Sequence, residues 1–407
     1  MLKKIILILA ILACIARVGF AFYKHTHKPE LPNIEATVTV LVAEDPDLRD
    51  SWAQVIGTSE KYGGILMRLP RQGNYQIGDE IVAKGKLTRP RNFFSETGKE
   101  FDYIDYLAKD DVVYLMNSPT IISHTPAESW LLTKSLVSIK RWFIRSVQQS
   151  LSEPYASLAV GLVVGGKSSL GKDWTEAFRR AGLIHAVVLS GYNVSIIVTI
   201  LVGLIAFTPK HARFVLGTAG IISFALMTGA SSTIIRASIM AIIALYAEVS
   251  HAQYSVLKAL IIAAIAMVVW NPLILMYDPS FHLSFLATLG LILFSEPMAK
   301  VFAWLPINFL REVVSTTLAT QILVTPYILY LMDEISILGI ITNILVTPIL
   351  PFTMLMITLV AVFGSWASVF IFSVGHEIVT FITHSVLVYV FKVVEIISAL
   401  KDRKSVV

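Results

Sequence analysis

The sequence predicts a polytopic α-helical membrane protein with a small β-domain set between an N-terminal anchor and the remaining spans. Three observations predict it. Of 407 residues, 55% are hydrophobic and only 15% charged, with a mean hydropathy of +0.71, far from the balance of a soluble domain. After residue 183 the apolar residues fall into successive runs of about the length that crosses a bilayer. Residues 35–118 behave differently, with short alternating β-branched runs between Gly, Asp, Asn and Pro.

Taken in order, "MLKKIILILAILACIARVGFAF" (1–22) opens with two lysines and then runs apolar. No A-x-A-like cleavage site follows and Arg17 interrupts the run, so it reads as an uncleaved anchor rather than a signal peptide. Its Cys14 is the single cysteine, which excludes an intrachain disulfide or a cysteine metal site. Within 35–118, "EATVTVLVAED", "WAQVIGTS", "GGILMRLP" and "DEIVAKGKLTRPR" read as strands. An OB-like barrel suits their length and spacing, a spacing shared with other small β folds.

Residues 130–182 are expected to form amphipathic surface helices. "WLLTKSLVSIKRWFIRSVQQSL" sets Lys134, Lys140, Arg141 and Arg145 among Trp, Leu, Ile and Phe, too many charges for a span and a pattern suited to a membrane surface. The region 183–400 is the polytopic domain, with apolar stretches at about 183–207, 214–229, 231–250, 257–275, 281–296, 313–331, 336–363 and 368–399.

With the N-terminus inside, Lys210, Arg213, Lys258, Lys300 and Arg311 fall on cytoplasmic turns, while Asp278 and the Asp333–Glu334 pair fall outside. This places the β-domain extracytoplasmic. The count leaves the basic tail "KDRKSVV" on the wrong side, so 336–399 is expected to hold a broken or re-entrant element near Pro348 and Pro351. The net charge of +5 suits this inside bias, anionic lipid or a nucleic-acid polyanion.

Two motifs lack the context their chemistry needs. "GLVVGGKS" fits G-x-x-x-x-G-K-[ST] with Gly161, Gly166, Lys167 and Ser168, but a phosphate-binding loop must follow a strand and open a helix. "EPYASLAVGLVV" has no strand punctuation, and the segment is extracytoplasmic by the loop charges. What survives is a tight turn at Gly165 and Gly166, with Lys167 near the outer entrance. His25 and His27 form an isolated H-x-H without a third ligand.

The most informative stretch is "DWTEAFRRAGLIHAVVLSGYNVSIIV" (173–198). Asp173 with Glu176 resembles a capping box, and the chain then enters the membrane carrying His185, Ser190, Gly191 and Asn193. Polar groups there face a bundle interior or a water path; the alternative is that Ser190 and Asn193 only hydrogen-bond between helices.

This stretch aligns without a gap with "FRRAGLSHLLAISGLHV" of the ComEC competence family, polytopic channel proteins of bacterial natural transformation. Arg179, Arg180, Ala181, Gly182, His185, Ser190, Gly191 and Val194 match; the family's second histidine falls on Asn193, which removes a titratable group. "MTGASSTIIRASIMA" carries Arg236 into a span as the family's "G.s.s..RA..M" does. "NPLILMYDPSFHLSFLATLG" is similar to "DPLALFDPGFQLSFLAVLG" at Pro272, Asp278, Pro279, Phe281, Leu283, Ser284 and Phe285, with His282 in place of glutamine. Gln321, Pro326, Asn343 and Pro348 match a further segment, and "GDEIVAKGKLTRPRN…FDYIDYLAKDDVVYLM" resembles the family's N-terminal OB domain.

The resemblance implies a channel that moves single-stranded DNA across the cytoplasmic (inner) membrane, in a form lacking the C-terminal metallo-β-lactamase-like nuclease domain. His185, Ser190, Gly191, Asn193, Arg236, Asp278, Gln321 and Asn343 are then expected along the translocation path. Arg236 is the sharpest, because a charge near mid-bilayer costs several kcal/mol and is retained for a pathway or a buried partner; Asp278 is the acid available for an ion pair.

Outside, Lys84, Lys86, Arg89 and Arg91, followed by Phe93 and Phe94, offer charge and stacking surfaces for a single strand. The alternative there is a solvated face with buried Phe. Lys167, Arg179 and Arg180 are expected to contact DNA near the entrance. Expected partners are single-stranded DNA and membrane lipid, with a surface DNA receptor, a cytosolic helicase or translocase, a separate nuclease and a homo-oligomer as further candidates. No catalytic residue, cofactor or metal is expected. A secondary transporter for a small anion is the runner-up. An intramembrane protease is disfavoured, because His185 and Ser190 stand five apart and share no helix face.

Overall fold

The structure, a computed structural model, describes residues 16–23, 33–44, 46–48, 51–73, 75–94, 98, 100–126, 131–165, 170–187, 190–332, 337–365 and 370–402. Residues 16–23, the described part of the expected anchor, are helical (α1). The chain divides into two compact units, Met1–Trp130 with Leu257–Leu283, and Leu131–Val256 with Ser284–Val407.

In the first unit the strands are β1 (Ile34–Val42), β2 (Asp47–Leu48), β3 (Trp52–Ser59), β4 (Gly63–Pro70), β5 (Glu80–Thr88), β6 (Phe93–Phe94), β7 (Glu100–Phe101), β8 (Val112–Asn117) and β9 (Thr120–Thr125). β1 pairs with both β3 and β5, β3 with β4, β4 in parallel with β8, and β8 with β5. These pairings close a ring of five strands, β1–β3–β4–β8–β5–β1, which is the small barrel the sequence predicts. Closure removes the exposed edges that a short open sheet would leave.

Period-two alternation puts Val38, Val40, Val42, Val55, Met67, Leu69, Ile81, Ala83, Leu87 and Met116 inside. A β-bulge between Gly64 and Ile65 brings β4 so close to the Asp111 carbonyl that a side chain at Gly64 would overlap it. β9 continues the sheet beyond β5, and the buried Asp79 ties it down by accepting from Gln76 N at 2.8 Å while pairing with His124 Nε2 at 2.8 Å.

Helix α2 (Tyr103–Ala108) lies between the fourth and fifth barrel strands, with Asp102 as N-cap accepting from Asp105 N. The same unit holds α10 (Val256–Trp270) and the short α11 (Ile274–Tyr277), which packs on α2.

The second unit contains α3 (Leu131–Ser150), α4 (Tyr155–Val164), α5 (Lys172–Arg180), α6 (Ile184–Val187), α7 (Gly191–Leu204), α8 (Lys210–Met227) and α9 (Ser232–Val249). Then come α12 (Pro279–Val301), which begins in the first unit, α13 (Asn308–Met332), α14 (Ile337–Val346), α15 (Leu350–Ser365) and α16 (Phe370–Asp402). Among the described residues five helical segments are long and apolar enough to cross a membrane: Ser232–Val249, Pro279–Val301, Asn308–Leu331, Leu338–Gly364 and Val374–Leu400. The protein is thus a multi-pass helical membrane protein with an N-terminal barrel.

Several local expectations are corrected. The run 183–207 is not one helix: it divides into α6 and α7, and α7 restarts at Gly191 behind Ser190. Its 14 residues reach about 21 Å, short of a hydrocarbon core of ~30 Å. At Pro348 the helix tightens into a 3₁₀ turn at Thr347–Ile349 between α14 and α15, while Leu338–Gly364 stays one helical segment. Within 130–182, α4 is not an amphipathic surface helix. It is apolar all round, and eight of its ten residues are buried in the core of the unit, the outcome that such a helix requires. Tyr155, Trp174 and Phe178 meet Phe391 of α16 edge-on at 5.0, 4.6 and 5.5 Å, which fixes α4 and α5 against that long helix.

α5 has no capping box. Its N-cap is Gly171, so Asp173 already lies inside the first turn and Glu176 turns to Arg179 and Arg180 instead. "GLVVGGKS" begins inside helix α4 rather than after a strand, so the required context of a phosphate-binding loop is missing. Lys167, with Gly166 and Ser168, lies outside the described residues, as do His25 and His27.

Candidate functional site

The break before α7 builds the most unusual polar arrangement in the second unit. Ser190 has extended backbone and caps α7: its Oγ accepts from Asn193 N at 3.3 Å and donates to Asn193 Oδ1 at 3.2 Å. Asn193 is fully buried, and its Nδ2 has no hydrogen-bond partner among the described residues.

α7 packs on α9, which carries Arg236. The Arg236 side chain is 8% exposed, its Nε donates to Ser284 Oγ of α12 at 2.6 Å, and its Nη1 reaches only Met240 Sδ at 3.3 Å. Nη2 lies so close to Gly191 that a Cβ there would overlap it. No carboxylate pairs with Arg236 among the described residues.

Arg236 is the fifth residue of α9 and Ser284 the sixth of α12. The guanidinium therefore belongs to about the first 6 Å of α9. That position sets it beside the starts of α7 and α9. Each helix start carries roughly half a positive charge, so dipoles and guanidinium add to one region of positive potential. A buried, hydrogen-bonded but uncompensated cation is expensive. An anion arriving there would be met by a planar fork with one free edge and by the helix start.

Asp278 is placed elsewhere, in the first unit. It is 3% exposed, and its Oδ1 accepts from Ser280 N at 3.1 Å as α12 begins. Its charge acts on α2: burial works to lower the Lys109 ammonium, but Asp110 and Asp278 outweigh it and hold Lys109 above its ordinary value. Tyr106 is raised, chiefly by burial. Asn271 Nδ2 also donates to the Lys109 carbonyl at 2.7 Å. The acid considered as an ion-pair partner for Arg236 thus lies in the field of α2.

The remaining candidates are dispersed. His185 is on α6; Gln321 Oε1 accepts from Thr325 Oγ1 at 2.7 Å within α13. Asn343 is buried in α14 with its Oδ1 unpartnered among the described residues. Arg179 and Arg180 each hold Glu176, at 2.8 and 2.9 Å.

On the barrel, Lys84 and Lys86 point outward from β5, and Arg89 and Arg91 follow in the connection to β8. Phe93 and Phe94 are 50% and 72% exposed, which disposes of the buried-Phe alternative. Phe93 touches Phe101 and Tyr103 at 5.3 and 5.8 Å between centroids, so the connection carries a fixed aromatic surface beside the cations.

The model of a family described as competence protein matches residues 162–406. The chain belongs to the competence protein family. That match runs from the end of α4 through α16 and so takes in every residue of the Arg236 cluster, while the barrel lies outside it. Among curated proteins the chain is similar to "ComE operon protein 3" of Bacillus subtilis (strain 168), at 22% identity over 316 residues. The alignment covers 76% of this chain but 38% of that protein, so the chain spans well under half the length of the competence relative it matches. No solved structure matches.

Sequence reasoning picks out the intramembrane polar residues of this competence chain but misses their partners. Ser284, Met240, Asn271, Tyr106 and Lys109 lie in segments that resemble the family's, but nothing in their spacing shows which group each one meets. The break before α7 does leave a signal, the Ser190-x-x-Asn193 start with Gly191 at the first helical position.

Proposed function

We propose that this chain moves single-stranded DNA across the cytoplasmic membrane during natural transformation, with its barrel on the extracytoplasmic side. One observation carries the reading: a buried guanidinium, without a carboxylate among the described residues, lies against the start of a broken membrane helix. A chain of phosphates leaving water needs donors and positive potential at such a point. Lys84, Lys86, Arg89, Arg91, Phe93 and Phe94 of the barrel supply charge and stacking for the incoming strand. Lys167, Arg179 and Arg180 act near the entrance, and Gln321 and Asn343 line the path deeper in. A surface receptor, a cytosolic translocase and a separate nuclease complete the process, and the channel works as a homo-oligomer.

The same guanidinium and broken helix also favour a secondary transporter for a small anion, a reading that leaves the barrel's cationic and aromatic surface without a use. Proteoliposomes loaded with a nuclease-protected dye decide between them. Passage of a labelled oligonucleotide that is lost in Arg236→Gln supports the channel; flux of small anions with no strand passage refutes it. In cells competent for DNA uptake, deletion of this chain should stop labelled DNA from reaching the cytosol. Entry at the normal rate would end the proposal.

A further inference from the structure

Helix α3 builds a second cationic site that the DNA reading does not use. Ser138, Arg141, Trp142, Arg145, Ser146 and Gln149 recur at helical spacing and share one face of α3, and with Gly364 they line a cavity of 580 Å³. The opposite face is pinned, with Phe143, Val147 and Leu151, just past the helix end, buried in the core of the unit. This orientation leaves the polar face no freedom to turn inward. Between 131 and 150 the sequence has no acidic residue, and Arg145 makes no ion pair or hydrogen bond among the described residues.

Gly364 belongs to the apolar segment Leu338–Gly364, so the cavity lies against a candidate span. On the same helix Trp142 and Ile139 are 41% and 51% exposed, an aromatic and an aliphatic side chain of the kind that anchor at a membrane interface.

We propose that this cavity binds the headgroup of an anionic glycerophospholipid, its phosphodiester paired by Arg141 and Arg145 and its glycerol hydroxyls met by Ser138 and Gln149. Trp142 and Ile139 lie along the start of its acyl chains. The volume is that of a small-ligand site, and a planar guanidinium suits a phosphodiester better than an ammonium does. A passing DNA strand fits less well, because the cations line one short open cavity beside apolar surface instead of forming a track with stacking faces. The bound lipid would hold α3 at the interface.

The test uses the full chain in nanodiscs that contain equal phosphatidylglycerol and phosphatidylcholine, followed by native mass spectrometry of retained lipid. Wild type should retain phosphatidylglycerol over phosphatidylcholine, and Arg141→Gln/Arg145→Gln should lower that preference by roughly thirtyfold, two surface cations' worth. Arg145→Gln alone should lower it partway, which keeps the test open if the double variant does not fold. Lys210→Gln/Lys300→Gln, with the same charge change elsewhere, should leave it unchanged. Equal retention of the two lipids, or a preference that survives both variants, overturns the proposal. So does displacement of the lipid by glycerol 3-phosphate or by a thymidine oligonucleotide, which would assign the cavity to a free anion or to DNA.

Discussion

Replacing Gly191 by alanine tests the central geometry with a single methyl group. Gly191 is the first residue of α7 and its backbone is not in the left-handed region, so the substitution adds no dihedral strain. In open surroundings it would stabilise the helix by about 0.5–1 kcal/mol. Here the new Cβ overlaps Arg236 Nη2. The guanidinium must swing away, which breaks its 2.6 Å bond to Ser284, and a hydrogen bond from a charged donor is worth about 1.5–3 kcal/mol. The net expected loss is about 1–2 kcal/mol once the helix gain is subtracted.

Equilibrium unfolding of the purified chain in detergent measures it, with Gly203→Ala as the control in the same helix. Nothing lies within 4 Å of a Cβ at Gly203, so that variant should be neutral or slightly more stable. The decisive arm is Gly191→Ala combined with Arg236→Gln. The shorter amide relieves the overlap, so the double variant should lose no more than Arg236→Gln alone, a coupling of at least about 1 kcal/mol. Additive losses would mean that Gly191 and Arg236 do not touch, and the proposed anion site would lose its geometry.

Other consequences are open to measurement. Ser190→Ala removes the side-chain cap of α7 and should cost about 1 kcal/mol in the same unfolding assay, with Ser190→Asn restoring most of it. Neutralising Lys84, Lys86, Arg89 and Arg91 together should weaken binding of a labelled oligothymidylate and flatten its dependence on log salt by up to about 0.7 for each phosphate left without its cation. Phe94→Ala should cost about 1–3 kcal/mol of that binding without changing the salt slope; an unchanged affinity in both would remove the barrel from the strand's route. Hydrogen bonds from Arg179 and Arg180 hold the Glu176 carboxyl below its ordinary value of 4.5. The stability it contributes is therefore present above that value and lost as pH falls through the lower folded one. Exchange of the α5 amides should quicken only in that acid window, and Glu176→Gln should abolish the dependence.

Much of the fold is legible because it is written in local periodicity. The segments read as strands at 52–59 and 63–70 coincide with β3 and β4, since alternation between turn residues leaves few other registers. Pro348 predicts an irregular turn of helix, and a 3₁₀ turn is there. The break before Gly191 escapes a reading by apolar content, which joins 183 to 207, although Ser190 and Asn193 are spaced as cap residues. GLVVGGKS shows the reverse error: a letter-perfect motif loses its meaning when a helix stands where its strand should be.

The class of molecule and the alternating strands can be read from the order of residues. Each follows from transfer energy or from the side-chain repeat along a single element. Which groups meet is settled by packing alone. Packing closed the barrel by pairing β1 with β5, sent Asp278 toward Lys109, and set Arg236 between Gly191 and Ser284, residues 45 and 48 positions away along the chain. Such encounters depend on how helices and strands come together in space, and a residue's own neighbours in sequence carry no record of them.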